Sequence, residues 1–172
     1  MYNNNVKNYL YIINHIQTKG GEVPSLQSKT QNISLLTPLG LSPGLLFTAL
    51  EQTRPARLFL VTSQKGKENL PEIIKTTKFK GEIKSFIVND PFTCFNDAAK
   101  ILQEIITCPK GEEWVINLTG GTTALQFIIQ KIAEELVAKG NKVKYTAMID
   151  RRKPEEQRAN PYVVGEMLEI DV

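Results

Sequence analysis

This 172-residue chain has one histidine, one tryptophan and two cysteines. That scarcity excludes several kinds of chemistry. A structural zinc site takes about four His or Cys ligands. His15 with the distant Cys94 and Cys108 is too few. A Ser-His-Asp triad needs a well-placed histidine, and His15 lies in a peripheral N-terminal segment. The carboxylates are scattered, so no metal-binding cluster is expected, and no cofactor either. No run of about 18 apolar residues occurs, so no membrane span is expected. The start, Met1-Tyr2-Asn3-Asn4-Asn5, lacks a signal-peptide pattern. The two cysteines then read as reduced thiols, and the expected location is cytoplasmic. Strong charge is also missing. A net +3 suits a small anionic ligand better than a long nucleic-acid track.

What is present reads as an α/β protein. The apolar fraction of 41% and charged fraction of 23% are those of a globular domain, and the length is that of one domain. Five short apolar runs recur: Ile33 to Leu36, Leu58 to Val61, Ile83 to Val88, Trp114 to Leu118 and Val143 to Ile149. Each ends in turn residues, with helical patterns between them. Such runs read as parallel strands buried on both faces, joined by right-handed crossovers. A last run, Tyr162 to Ile170, follows after only a short charged loop, which requires an antiparallel strand. Helices are expected from Ser42, read as an N-cap before Pro43, to about Gln52, and over 70–78, 95–107 and 124–139. Asp90 reads as a cap for the third of these, and Glu135 with Lys139 as a surface pair on the fourth. The expected fold is a Rossmann-like three-layer sandwich. Its mainly parallel sheet has about six strands, with helices on both faces. Residues 1–30 read as an N-terminal helical extension and loop, with Val6 to Gln17 as the helix.

Two strand-to-helix junctions carry the chemistry. The first strand leads into Leu39-Gly40-Leu41-Ser42-Pro43-Gly44. The fourth leads through Asn117-Leu118 into Thr119-Gly120-Gly121-Thr122-Thr123. Glycines let backbone approach a ligand, and helix N-terminal amides favour an anion. In open parallel sheets, ligands bind beyond the carboxyl ends of the strands, where strand order reverses. The ends of strands one and four commonly flank that point. Gly-rich turns also serve as mere tight bends, but two at one crevice favour anion binding. Ser42 fits both a cap and a phosphate contact, and the sequence does not separate them. Neither junction matches a phosphate-loop or dinucleotide fingerprint.

Two basic clusters follow strands on the same expected side. Ser63-Gln64-Lys65-Gly66-Lys67 follows the second strand, and Arg151-Arg152-Lys153 the fifth. Loop charge runs are often only solvated surface. Their position here makes Lys65, Arg151 and Arg152 candidate phosphate clamps.

Thr37 to Gly44, Leu58 to Ser63 and Asn117 to Thr123 together resemble the CARF family, the CRISPR-associated Rossmann fold. The resemblance runs from about Ile33 to the C-terminus, so 31–172 reads as a CARF-like Rossmann domain. It implies a homodimer that binds cyclic oligoadenylate, most readily cyclic tetra-adenylate, across its two-fold axis. Implied ligand contacts are Leu39 to Gly44, Ser63, Gln64, Thr119 to Thr123, Arg151 and Arg152. Where many members carry a lysine after Gly-Gly-Thr, this chain has Thr123. The Arg-x-x-x-x-His ribonuclease motif of effector domains is absent, since the sole histidine is His15. The favoured reading is therefore a stand-alone ring nuclease that cuts the messenger without a metal. In it the ring's own 2′-hydroxyl attacks, helped by Ser42, Lys65, Thr122 and Arg151. The other is a sensor or sponge that only binds. A third, a flavodoxin-like protein for another phosphorylated molecule, ignores the resemblance.

Overall fold

The computed structural model describes residues 33–105 and 113–171. The expected N-terminal helix, His15, the end of the third helix beyond Ile105, and Cys108 lie outside the described residues. Six strands form one sheet: β1 (Ile33–Leu39), β2 (Arg57–Ser63), β3 (Glu82–Val88), β4 (Glu113–Asn117), β5 (Lys142–Ile149) and β6 (Glu166–Ile170). The spatial order is β3-β2-β1-β4-β5-β6. Pairing is parallel throughout except for β6, which runs antiparallel to β5. The chain returns from β5 to β6 without a crossover, so only the antiparallel direction is open to β6.

Six α-helices complete the described residues: α1 (Gly44–Thr53), α2 (Gln64–Lys67), α3 (Leu70–Thr77), α4 (Ala98–Ile105), α5 (Thr123–Ala138) and α6 (Pro154–Ala159). They cover both faces, and each face has its own core. On one, Ile128, Ile129, Ile132 and Leu136 of α5 and Ile101 and Ile105 of α4 pack on Leu36, Phe59, Trp114 and Ile116. On the other, Leu46 and Leu50 of α1 and Ile73 of α3 pack on Leu35, Leu58, Leu60 and Val115. Adjacent residues of β1, Leu35 and Leu36, thus serve opposite cores. That is why the central strands read as continuous apolar runs. No helix among the described residues is long and apolar enough to cross a membrane.

Several local expectations are corrected. Helix α1 starts at Gly44, with Pro43 at its N-cap position and no side-chain cap bond there. Asp90 accepts from the Phe92 amide at 2.9 Å and the Thr93 hydroxyl at 2.7 Å. It therefore fixes a turn ahead of the 3-10 segment Cys94–Asp97 rather than capping α4. The ion pair on α5 is Lys131 with Glu134 at 2.7 Å, not Glu135 with Lys139. The charged stretch after β5, expected as loop, contains α6. Pro154 at its start and Glu155 and Glu156 in its first turn are helix-start signals that the charge density hid. Residues 64–67, expected as loop, form α2, capped by Ser63.

Candidate functional site

Strand order reverses between β1 and β4, and the loops leaving these two strands meet there. Gly40 and Gly121 touch backbone to backbone. A Cβ on Gly40 would lie 2.8 Å from the Gly121 Cα. Gly120 and Gly121 both hold positive φ, +96° and +72°, which only glycine adopts freely. The chain turns twice in two residues and enters α5 directly.

Asn117, at the end of β4, organises this corner. It is fully buried. Its Nδ2 donates to Thr37 Oγ1 and to the Thr119 carbonyl, both at 2.9 Å. Its Oδ1 accepts from the Thr119 amide at 3.1 Å and from Thr119 Oγ1 at 2.8 Å. Thr119 Oγ1 in turn accepts from the Met148 amide at 2.8 Å. One side chain and one hydroxyl therefore join β1, the β4–α5 loop and β5.

Above this corner lies a cleft of about 760 Å³. One side is Leu41 to Leu45, running from the β1 loop into α1. Thr119, Gly120 and Gln126 come from the β4 side, and Met148 to Asp150 end β5. Pro154, Gln157 and Arg158 of α6, with Pro161, form the remaining wall. The first turns of both α1 and α5 contribute, through Gly44 with Leu45 and through Gln126, and helix N-termini carry partial positive charge.

The structure brings Leu41, Ser42, Pro43, Gly44, Thr119 and Gly120 together on this cleft. Ser42 is exposed there, and no hydrogen bond joins its hydroxyl to the described residues. It is uncommitted rather than a cap. Gly40 and Gly121 shape the corner behind, and Thr123 is exposed at the first residue of α5.

Other nominated side chains are engaged elsewhere. Leu39 is buried in the core, and its carbonyl accepts from Thr62 Oγ1 at 2.6 Å. Ser63 Oγ accepts from the Gly66 amide at 3.1 Å and so caps α2. Gln64 and Lys65 are exposed on that short helix and do not line the cleft. Thr122 Oγ1 donates to the Pro91 carbonyl and accepts from the Leu125 amide, which makes it the α5 cap. Arg151 donates to Glu166 at 2.8 Å across the β5–β6 turn, outside the cleft lining. That pairing raises the arginine pKa and lowers that of Glu166.

Arg152 closes on Asp150. Its Nη2 and Nε donate to the carboxylate at 2.6 and 3.0 Å, and its backbone amide adds a third bond at 3.0 Å. These bonds, the side-chain ones foremost, hold the Asp150 carboxyl below the usual aspartate range. Nη1 of the same guanidinium donates to the Asn160 carbonyl at 2.8 Å. The arginine therefore staples the two ends of the α6 segment. Gln126, Asp150, Gln157 and Arg158 are cleft residues that the sequence reading missed. For Gln157 and Arg158 the missed signal was the start of α6.

No family model matches the sequence, and no curated protein matches it significantly. Solved structures match in fold. Can2 from Sulfobacillus thermosulfidooxidans, in complex with cyclic tetra-adenylate, aligns with a TM-score of 0.51 at 19% identity. The alignment covers 66% of this chain and 31% of Can2. A type III CRISPR defence DNA nuclease activated by cyclic oligoadenylate aligns with a TM-score of 0.48 at 17% identity. It covers 65% of this chain and 18% of that one. The chain thus spans under a third of the first structure's length and under a fifth of the second's. The likeness to Can2 establishes the Rossmann-like α/β fold; the second is too slight to add to it.

Proposed function

We propose that this chain is a CARF-like domain that binds cyclic oligoadenylate, with cyclic tetra-adenylate the favoured ring, across a two-fold pair of chains, as part of type III CRISPR signalling. The carrying observation is the cleft at the reversal of strand order, lined by the first turns of α1 and α5 and by the backbone of Gly120. This is where open α/β sheets take anionic ligands. Can2, of the same fold, holds cyclic tetra-adenylate. Size supports the pairing of chains. About 760 Å³ is the volume of a site for a drug-sized molecule. A ring of four nucleotides is larger, so each chain supplies one half of its cradle.

Ring cleavage is the second reading, and the uncommitted Ser42 hydroxyl at the cleft favours it. In that reaction a ribose 2′-oxygen attacks the adjacent phosphorus and the bond to the 5′-oxygen breaks. The proton lost by the 2′-hydroxyl is balanced by one gained at the leaving oxygen, giving a 2′,3′-cyclic phosphate. The protein must hold the attack in line and stabilise the phosphate charge. Of the other helpers nominated, Thr122 spends its proton on Pro91, Arg151 is held by Glu166, and Lys65 lies off the cleft. Binding alone therefore fits the arrangement better than efficient cleavage.

One experiment separates the readings. Labelled cyclic tetra-adenylate and cyclic hexa-adenylate are incubated with the protein in EDTA, and bound and converted material are resolved. Intact, retained tetra-adenylate supports binding. Linear di-adenylate whose appearance slows in Ser42→Ala supports cleavage. Neither retention nor conversion of either ring defeats both.

A further inference from the structure

The cleft that would receive a polyanion has little positive charge facing it. Arg158 is the one basic side chain among its described lining residues. Asp150 is the one acidic side chain there, and Arg152 neutralises it through three hydrogen bonds. Both members of that pair are largely buried, with side chains 24% and 10% exposed for Arg152 and Asp150. Arg152 cannot turn to a ligand without stranding Asp150, an anion, in the cleft wall. One of the two arginines that the sequence offered as phosphate clamps is thus committed.

Arg158 is in the opposite situation. Among the described residues its one partner is Glu155, one turn back, at 3.3 Å. Both side chains are more than 70% exposed. An exposed pair with a single long contact stabilises little and exchanges readily. The backbone that carries Arg158 is firmly held. Gln157 Nε2 donates to the Asp150 and Arg152 carbonyls at 3.1 and 2.7 Å. The Asn160 amide closes the helix on the Glu156 carbonyl at 3.0 Å. The wall is fixed, and only the charged head is free to move.

We propose that Arg158, held on α6 across the cleft from Gly44 and Gly120, is the phosphate-binding cation of this site and exchanges Glu155 for the ligand. This rests on the cyclic oligoadenylate reading above and names the contact through which that ligand is held. A planar guanidinium meets two phosphate oxygens at once, which a carboxylate at 3.3 Å through one nitrogen does not match. Asp150 and Arg152 serve as a neutral floor that positions α6 and does not touch the ring.

The test is a titration of the full chain with labelled cyclic tetra-adenylate at several salt concentrations. Arg158→Ala is expected to bind about tenfold or more weakly and with a shallower dependence on salt. Arg158→Gln, which keeps most of the stem, shows the same loss. Arg158→Lys keeps the salt dependence of the parent but not its full affinity. Lys75→Ala, an equal loss of charge on α3 outside the cleft, binds as the parent does. The proposal is overturned if Arg158→Ala matches the parent in both affinity and salt dependence, or loses no more than Lys75→Ala. Failure of the parent itself to bind would instead sink the cyclic oligoadenylate reading on which the proposal stands.

Discussion

At the scale of single residues, Asn117 matters most to the shape of the site. It sits at zero exposure and uses both ends of its amide. Truncation to alanine leaves Thr37, Thr119 and two backbone groups short of partners in a dry environment. Asn117→Ala is expected to destabilise the protein by about 2–3 kcal/mol. The melting temperature should fall by roughly 4–12 °C, read by calorimetry. The sequence marked this asparagine only as part of a motif. Its work depends on Thr37, eighty residues away, and no local pattern shows that.

The Asp150–Arg152 pair is a second residue-scale case. The sequence showed an arginine in a loop on the ligand side, and two-pronged phosphate binding was the natural reading. The loop geometry instead folds it back two residues onto a carboxylate. The folded aspartate pKa is depressed, so the pair's contribution is present above the unfolded value near pH 4. It is lost as pH falls through the lower folded value. Urea midpoints of the parent and Asp150→Asn, compared from about pH 6 to pH 2, should differ at the upper end and converge at the acidic end. A gap that stays constant over that range would contradict the assignment.

At the scale of elements, the strands and α5 were legible because burial on two faces writes apolar runs, and burial on one writes a helical period. The reversed direction of β6 was legible from chain length alone. The short helices α2 and α6 were not. Four to six residues are too few to show a period, and their lysines, arginines and glutamates look like loop. Their start signals, Ser63 and Lys153-Pro154-Glu155-Glu156, were present but outweighed. Since α6 is one wall of the cleft, missing it meant missing Gln157 and Arg158.

The two glycine junctions were read for ligand approach, and the structure adds a packing reason. Gly40→Ala would press a methyl against the Gly121 backbone at 2.8 and 3.0 Å. Neither side can yield cheaply, and the expected cost is about 1–3 kcal/mol. The two loops part, so binding of cyclic tetra-adenylate weakens as well. Gly140→Ala is the contrast. Its φ is +81°, and nothing lies within 4 Å of an added Cβ. It should cost about 1–2 kcal/mol through backbone alone and leave binding at the parent value. Melting curves and titrations of the two variants together check this.

At the scale of the whole molecule, the doubly covered sheet explains why the cleft lies where it does. Crossovers diverge from the β1–β4 boundary, so α1 and α5 begin side by side at one end of the sheet and lie on opposite faces. The opening between their first turns is a consequence of topology, and the glycines and Asn117 trim it. Fold class and the location of the crevice could be read from sequence because they follow from strand order and turn chemistry. Which side chains face the crevice could not, because that depends on pairings made after the chain has folded.

The central claim is that two chains share one ring of cyclic oligoadenylate over these paired crevices. Native mass spectrometry of the protein with cyclic tetra-adenylate tests it most directly. The account predicts a species of two chains carrying one ring, whose mass shifts by the label when excess isotopically labelled ring is added. A monomer carrying its own ring, or a protein that acquires no ring at concentrations far above those of a signalling ligand, would contradict it.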